Sequence, residues 1–129
     1  MSRVFAAGVF DFFHDGHRFF LQSAKNLGDE LFVVVARDEN VFLKKGFFPH
    51  FSEKSRAAKI RRSQIADRVF LGDKKDFFKS VEKIRPDILA LGYDQKLPKN
   101  FQKKFPHIKI KKIPAKNPEK WKSSIFRKL

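Results

Sequence analysis

The 129 residues carry 29 Lys and Arg against 14 Asp and Glu, a formal net charge of +15, and no cysteine. This length predicts one domain over residues 1–129, and the missing thiols exclude disulfides, thiol nucleophiles and thiolate metal sites in this chain. The longest apolar run, residues 31–36, is far shorter than the roughly 20 residues of a membrane span, and Arg3 and Asp11 interrupt the first apolar stretch. We expect a cytoplasmic protein, not bound to a membrane, whose partner is anionic.

The first third of the chain predicts a strand, a helix and a second strand. An apolar strand covers residues 3–10, a helix with a 3.6-residue apolar period runs from His17 to a stop at Gly28, and a Val-rich strand covers residues 31–36. Such a unit is almost always parallel and right-handed.

The same alternation continues through the rest of the chain. Lysines alternate with isoleucines in the last strand, so it is expected at an edge of the sheet. The predicted elements are a helix over residues 52–64 capped by Ser52, a strand over 68–71, a helix over 76–84, strands over 87–92 and 108–113, and a helix from Ser123 or Ser124 to Leu129. These elements predict an α/β fold, a single-domain, doubly wound, five-stranded parallel sheet of the Rossmann-like type.

Ligands of such sheets bind at the carboxyl ends of the strands, where the strand order reverses. The two least regular stretches, residues 42–51 and 114–122, are therefore predicted as active-site loops.

The loop after the first strand holds two histidines three residues apart. His17 falls in the first turn of the predicted helix, where free N–H groups attract anions, and Gly16 leaves room for a phosphate. His14 and His17 can both donate to that phosphate and strengthen the hydrogen bonds as charge builds. Two alternatives remain at this point: a metal site that includes Asp11, and a purely structural role in capping or packing.

Residues 8–17 match the pattern G-x-F-D-x-x-H-x-G-H. This pattern resembles the signature of the nucleotidyltransferase superfamily, which contains the HIGH motif. The resemblance implies nucleotide contacts from Val9, Phe10, Asp11, His14, Asp15, Gly16 and His17. The sequence departs from the usual motif at Val9, where threonine is commoner, and at Asp15, where proline is commoner. Val9 removes a hydroxyl near the nucleotide, and Asp15 adds a carboxylate that either weakens phosphate binding or helps to hold Mg²⁺.

The runs over residues 28–31, 35–39 and 91–96 are most similar to archaeal-type FAD synthases. The resemblance implies transfer of a nucleotidyl group from ATP to FMN, giving FAD and pyrophosphate, with Mg²⁺ or another divalent cation bound to the triphosphate. A glycerol-3-phosphate cytidylyltransferase-like enzyme that uses CTP is an alternative, although the Arg-Thr-x-Gly-Ile-Ser-Thr signature of those enzymes is not present.

A second group of candidate residues lies near the C-terminus. Ser123, Ser124 and Arg127 resemble the superfamily's S-[ST]-x-x-[RK] signature, whose hydroxyls, helix N–H groups and guanidinium hold the departing phosphates. An ordinary serine cap on a basic helix is the alternative. Trp121 is expected either to lie against adenine or isoalloxazine, or to pack on the core.

Three further residues follow predicted strands. Lys44 and Lys45, on a predicted loop that contains Gly46, are assigned by the resemblance to the transferring phosphate or the acceptor, and a solvated lysine is the alternative. Asp94 follows the fourth strand and can accept hydrogen bonds from a ribose or a base.

The expected mechanism needs no activated nucleophile. The acceptor phosphate attacks the α-phosphorus directly while His14, His17, Lys44 and Arg127 position groups and stabilise charge. A hypothesis of another class is a basic nucleic-acid-binding module, since Glu119 is the single acid from Lys96 onward. The basic residues lack the interleaved aromatics and the signatures of such modules, so nucleic acid is not the expected partner. A homodimer is possible by analogy with relatives.

Overall fold

A computed structural model describes residues 2–115 of the chain. The described elements are β1 (Arg3–Gly8), α1 (Asp15–Lys25), β2 (Glu30–Val35), α2 (Asp38–Lys45), α3 (Glu53–Ser63), β3 (Arg68–Leu71), α4 (Phe77–Ile84), β4 (Ile88–Gly92), α5 (Phe101–Lys104) and β5 (Lys109–Ile113). The predicted C-terminal helix lies outside the described residues. None of the helices in residues 2–115 has the length and apolar character needed to cross a bilayer.

The five strands form one sheet in the order β3-β2-β1-β4-β5, and every neighbouring pair is parallel. The chain moves outward from β1 to β2 and β3, then returns to place β4 on the other side of β1. This reversal confirms the predicted doubly wound sheet and puts the switch point between β1 and β4, where such sheets bind ligands.

Helices cover both faces of the sheet because successive residues of a buried strand point to opposite sides. Val4 of β1 belongs to the core under α1 and α3, whereas Phe5 belongs to the core under α4 and α5. At the β5 edge Lys109, Lys111 and Lys112 are exposed and Ile113 is buried, as predicted.

The structure corrects three predicted boundaries. Strand β1 ends at Gly8 because Phe10 adopts a left-handed backbone with φ of 56°. Helix α1 begins at Asp15, two residues before the predicted start. Residues 42–51 are not all irregular, since α2 extends to Lys45, and Lys44 and Lys45 lie in its last turn and not on a loop.

Helix α2 has the charge pattern of a stable short helix. Asp38 and Glu39 occupy its first turn, and Lys44 and Lys45 occupy its last turn. Each pair has the sign that the helix dipole favours at that end. Gly46, with φ of 82°, then ends the helix in the left-handed conformation that glycine adopts without strain.

A buried arginine joins three segments beneath the carboxyl end of β1. Arg56 of α3 donates to the carbonyl oxygens of Val9 at 2.7 Å and Phe51 at 2.9 Å, and it pairs with the carboxylate of Asp38. Arg56 is almost completely buried, and each of its three guanidinium nitrogens donates to a group of the protein.

Arg56→Ala is expected to destabilise the fold by roughly 3–5 kcal/mol, because it removes the donor to two part-buried carbonyls and the cationic partner of the Asp38 carboxylate. Arg56→Lys should recover little of this loss, since an ammonium cannot reproduce the planar fork. Urea unfolding measures both effects. Arg62→Ala, at an exposed position of the same helix, serves as the control and should stay within about 0.5 kcal/mol of the wild type. An Arg56→Ala protein as stable as this control would contradict the assignment.

Candidate active site

A cleft of ≈ 830 Å³ opens at the switch point of the sheet. Strands β1 and β4 pair only from Val4 to Ala6 and from Ile88 to Ala90, so they separate beyond these residues. The side-chain amide of Gln95 bridges the gap, donating to the Ala7 oxygen at 2.6 Å and accepting from the Gly92 N–H at 2.8 Å. The Gln95 amide satisfies backbone groups that a continuous ladder between β1 and β4 would have paired. The volume of the cleft suits a nucleotide.

The loop that enters the cleft from β1 is held in an unusual conformation. Phe10 and Phe12 have φ values of 56° and 52°, a region that bulky residues rarely adopt. Asp11 lies between them with a buried carboxylate that accepts from the N–H groups of His50 at 2.7 Å and Phe51 at 3.1 Å. The Asp11 carboxylate thus anchors the loop to the segment before α3, and its predicted nucleotide contact stays a prediction.

His14 and His17 form a stacked pair at the first turn of α1. His14 is the N-cap, and its Nδ1 accepts from the N–H of Gly16 at 3.1 Å. The Nδ1 of His17 accepts from the N–H of His14 at 3.3 Å. The ring centroids lie 3.8 Å apart with an interplanar angle of 17°. Because each Nδ1 is an acceptor, the proton of each neutral ring resides on Nε2.

Both rings are held in the neutral form. Burial lowers the pKa of His17 from 6.5 to about 3, with a further contribution from the neighbouring His14. Burial also lowers the pKa of His14, although the carboxylate of Asp15 partly opposes it. At neutral pH the pair therefore offers Nε2–H donors at a helix start, where N–H groups and the helix dipole already favour an anion.

The structure brings several of the predicted residues together around this pair. Val9, Phe10 and Gly16 line the cleft with the histidines, Lys44 and Lys45 line it from the last turn of α2, and Asp94 lines it from the turn after β4. Asp15 is exposed in the first turn of α1 and does not line the cleft. Trp121, Ser123, Ser124 and Arg127 lie outside the described residues, so their part in the site stays a prediction.

One feature of the site was missed from the sequence. The bridge made by Gln95 was not predicted, although Gly92 and Gln95 stand three residues apart at a strand end, a spacing at which a side-chain amide can reach back to the backbone.

The hypothesis of a metal site at Asp11, His14 and His17 does not fit the geometry, because Asp11 and both Nδ1 atoms bind backbone N–H groups. Within residues 2–115, no three His, Cys, Asp or Glu side chains are grouped to hold a metal ion.

The lowered pKa of His17 predicts how the free energy of unfolding depends on pH. Between pH 6.5 and about 3 the unfolded chain binds a proton on this ring and the folded protein does not. The stabilisation by neutral His17 is therefore complete above pH 6.5 and is lost as the pH falls toward 3. Since one proton is involved, His17→Gln should flatten the plot of unfolding free energy against pH in this window by up to about 1.4 kcal/mol per pH unit. Urea unfolding across the window measures it, and parallel profiles for variant and wild type would contradict the buried, neutral ring.

The fold defines an α/β protein of the Rossmann-like class, with a pair of histidines at a helix start inside the switch-point cleft. The family model described as cytidylyltransferase-like matches residues 5–129, and the chain belongs to this family.

Named relatives and solved structures agree with this assignment. The chain is 50% identical over 96 residues to an FAD synthase of Methanosarcina barkeri, covering 74% of this chain and 68% of that protein. It is 42% identical over 119 residues to an FAD synthase of Methanosarcina mazei, covering 88% and 78%. A crystal structure described as the lipopolysaccharide core biosynthesis protein from Thermoplasma volcanium is 44% identical with a TM-score of 0.78, covering 89% of this chain and 96% of that one. A pantoate-beta-alanine ligase from Francisella tularensis, 18% identical with a TM-score of 0.63, covers 98% of this chain and 67% of that chain and shows the shared fold alone.

Proposed function

We propose that this chain is a nucleotidyltransferase that joins the adenylyl group of ATP to FMN, forming FAD and releasing pyrophosphate. The observation that carries the proposal is the pair of neutral Nε2–H donors of His14 and His17, held at a helix start inside the switch-point cleft. The similarity to FAD synthases supports ATP and FMN as the two substrates.

The reaction forms one P–O bond and breaks another. An oxygen of the FMN phosphate attacks the α-phosphorus of ATP, and the bond to the bridging oxygen of the β-phosphate breaks as pyrophosphate leaves. The attacking phosphate is already ionised near neutral pH, so the protein supplies no general base. Its contribution is to align the two phosphates and to stabilise the charge that redistributes between them.

Neutral histidines suit this task better than permanent cations. Donation from the Nε2–H of His14 and His17 to an α-phosphate oxygen strengthens as negative charge accumulates there. A fixed cation binds the ground state more strongly as well, which lowers KM without raising kcat. The backbone N–H groups that donate to Nδ1 hold both rings in place before the substrate arrives, so little reorganisation is needed during the reaction.

The other predicted residues take supporting roles in this proposal. Lys44 and Lys45 hold the acceptor phosphate, while Val9, Phe10 and Asp94 border the nucleotide within the cleft. We assign the departing pyrophosphate to Ser123, Ser124 and Arg127, and a nucleoside contact to Trp121, on the C-terminal signature alone.

A divalent cation fits the site as part of the ATP substrate. In the described part of the chain, lysines that include Lys44 and Lys45 line the cleft, and no three carboxylate or imidazole side chains are grouped to hold a metal ion. Mg²⁺ prefers oxygen ligands and retains several waters, so the triphosphate and water hold it without a dedicated protein site. When bound, it neutralises phosphate charge.

His17→Ala is expected to lower kcat by roughly 100-fold or more, because it removes a preorganised donor to the reacting phosphate. Pyrophosphate release measures this with ATP or CTP paired with FMN or glycerol 3-phosphate. His107→Ala is the control, since His107 is exposed just before the amino end of β5, away from the cleft.

Two results would decide against parts of the proposal. Near wild-type turnover in His17→Ala would contradict the proposed role of that imidazole as a donor to the reacting phosphate. Wild-type protein that releases pyrophosphate with CTP and glycerol 3-phosphate, and not with ATP and FMN, would overturn the assignment of substrates and leave the chemistry of the site in place.

A further inference from the structure

Large apolar side chains are exposed on both sides of the histidine pair. Of the five that are exposed within residues 2–115, four lie at the carboxyl end of α2 and just after it, and the fifth, Tyr93, follows β4. In the sheet, β2 and β4 are the two neighbours of β1. Since α2 follows β2, an aromatic group flanks each side of the strand end that leads to His14 and His17.

The four side chains on the β2 side, Phe42, Leu43, Phe47 and Phe48, form what we call the α2 aromatic patch. The rings of Phe42 and Phe48 stack with centroids 4.6 Å apart and an interplanar angle of 20°. Gly46 makes this contact possible, because its left-handed backbone turns the chain back over the end of α2 while its N–H donates to the Phe42 oxygen at 2.8 Å.

Capping at the end of α2 explains why the rings of Phe42 and Phe48 stack, but it does not explain why the side chains of the α2 aromatic patch remain exposed. A hydrophobic contact across a helix end commonly accompanies a glycine that terminates the helix. Such a contact needs one ring face, yet Phe48 remains 56% exposed and Leu43 79% exposed. A cluster of exposed apolar side chains marks a binding surface more often than isolated ones do. Leu43 also lines the cleft, so the α2 aromatic patch is continuous with the site already described.

Charged side chains line the cleft on both sides. Lys44 and Lys45 lie within the chain segment of the α2 aromatic patch, whereas on the other side the carboxylate of Asp94 is next to Tyr93 in the chain and Lys96 follows two residues later. FMN carries a phosphate dianion at the end of a ribityl chain attached to a planar ring, which matches lysines beside aromatic side chains. The adenosine part of ATP is uncharged and offers hydroxyl and amino donors, which matches a carboxylate beside an aromatic ring.

We propose that the α2 aromatic patch binds the isoalloxazine ring of FMN, with Lys44 and Lys45 on its phosphate, while the Tyr93 side of the cleft takes the adenine of ATP. This inference rests on the proposed transfer from ATP to FMN. Neighbouring strands lie about 4.8 Å apart, so the ends of β2 and β4 are separated by about 10 Å. The two substrates then approach from opposite sides, and their phosphates meet at the end of β1.

The test compares substitutions on the two sides of the cleft. Phe48→Ala should raise the Kd of FMN, measured by fluorescence anisotropy of FMN alone, and the KM of FMN by about tenfold, which is the size expected for one lost stacking contact. The KM of ATP should stay unchanged. Phe48→Tyr should restore FMN binding because it keeps the ring. Tyr93→Ala is the matched variant on the other side, and it should raise the KM of ATP and leave the Kd of FMN unchanged.

Four outcomes would overturn the inference. If wild-type protein forms FAD and Phe48→Ala keeps its Kd for FMN, or if Phe48→Ala raises the KM of ATP instead, the ring binds elsewhere and the proposed function still stands. If sedimentation velocity shows a dimer that Phe48→Ala dissociates, the α2 aromatic patch covers a second copy of the chain. If wild-type protein neither binds FMN nor releases pyrophosphate with ATP and FMN, the proposed function fails together with the inference.

Discussion

The site depends on one constraint, which is that both histidines at the start of α1 accept a backbone hydrogen bond on Nδ1. Gly16 donates to His14, and His14 donates to His17, so each ring is bound to the first turn of the same helix. This arrangement assigns the proton of each neutral ring to Nε2 and fixes the direction in which it is donated. Burial keeps the rings uncharged because it lowers the pKa of both histidines. The result is a donor pair whose geometry is complete without a ligand.

Buried polar groups away from the histidines keep this geometry in place. The carboxylate of Asp11 and the guanidinium of Arg56 both bind backbone groups of Phe51, one its N–H and the other its carbonyl. Arg56 also holds the carbonyl of Val9, so the loop after β1 is fixed from two directions. On the opposite side, Gln95 spans the gap between β1 and β4. The cleft is therefore open because the strands separate, and side chains satisfy the backbone groups that the separation leaves.

The fold could be predicted because its determinants are local. Continuous apolar runs such as residues 31–36 predict buried parallel strands, and alternation with helices leaves few topologies. Helix α2 was missed because exposed Phe42 and Leu43 disrupt the amphipathic pattern on which the prediction depends. Both histidines could be identified from their spacing, but not the nitrogen that carries each proton, since that follows from three-dimensional contacts. The burial of Asp11 against residues 50–51 could not be predicted, because the sequence does not show the left-handed backbone of Phe10 and Phe12 that accompanies it.

Nitrogen NMR of the protein labelled with ¹⁵N-histidine tests the central claim most directly, because the two ring nitrogens give different shifts and couplings in each tautomer and in the imidazolium ion. At pH 7 without ligand, the account predicts that His14 and His17 are both neutral, with the proton on Nε2. Single substitutions of His14 and His17 assign the resonances. A proton on Nδ1 of either residue, or an imidazolium at either position, would contradict the account, because the ring could not then accept the backbone hydrogen bond that orients it.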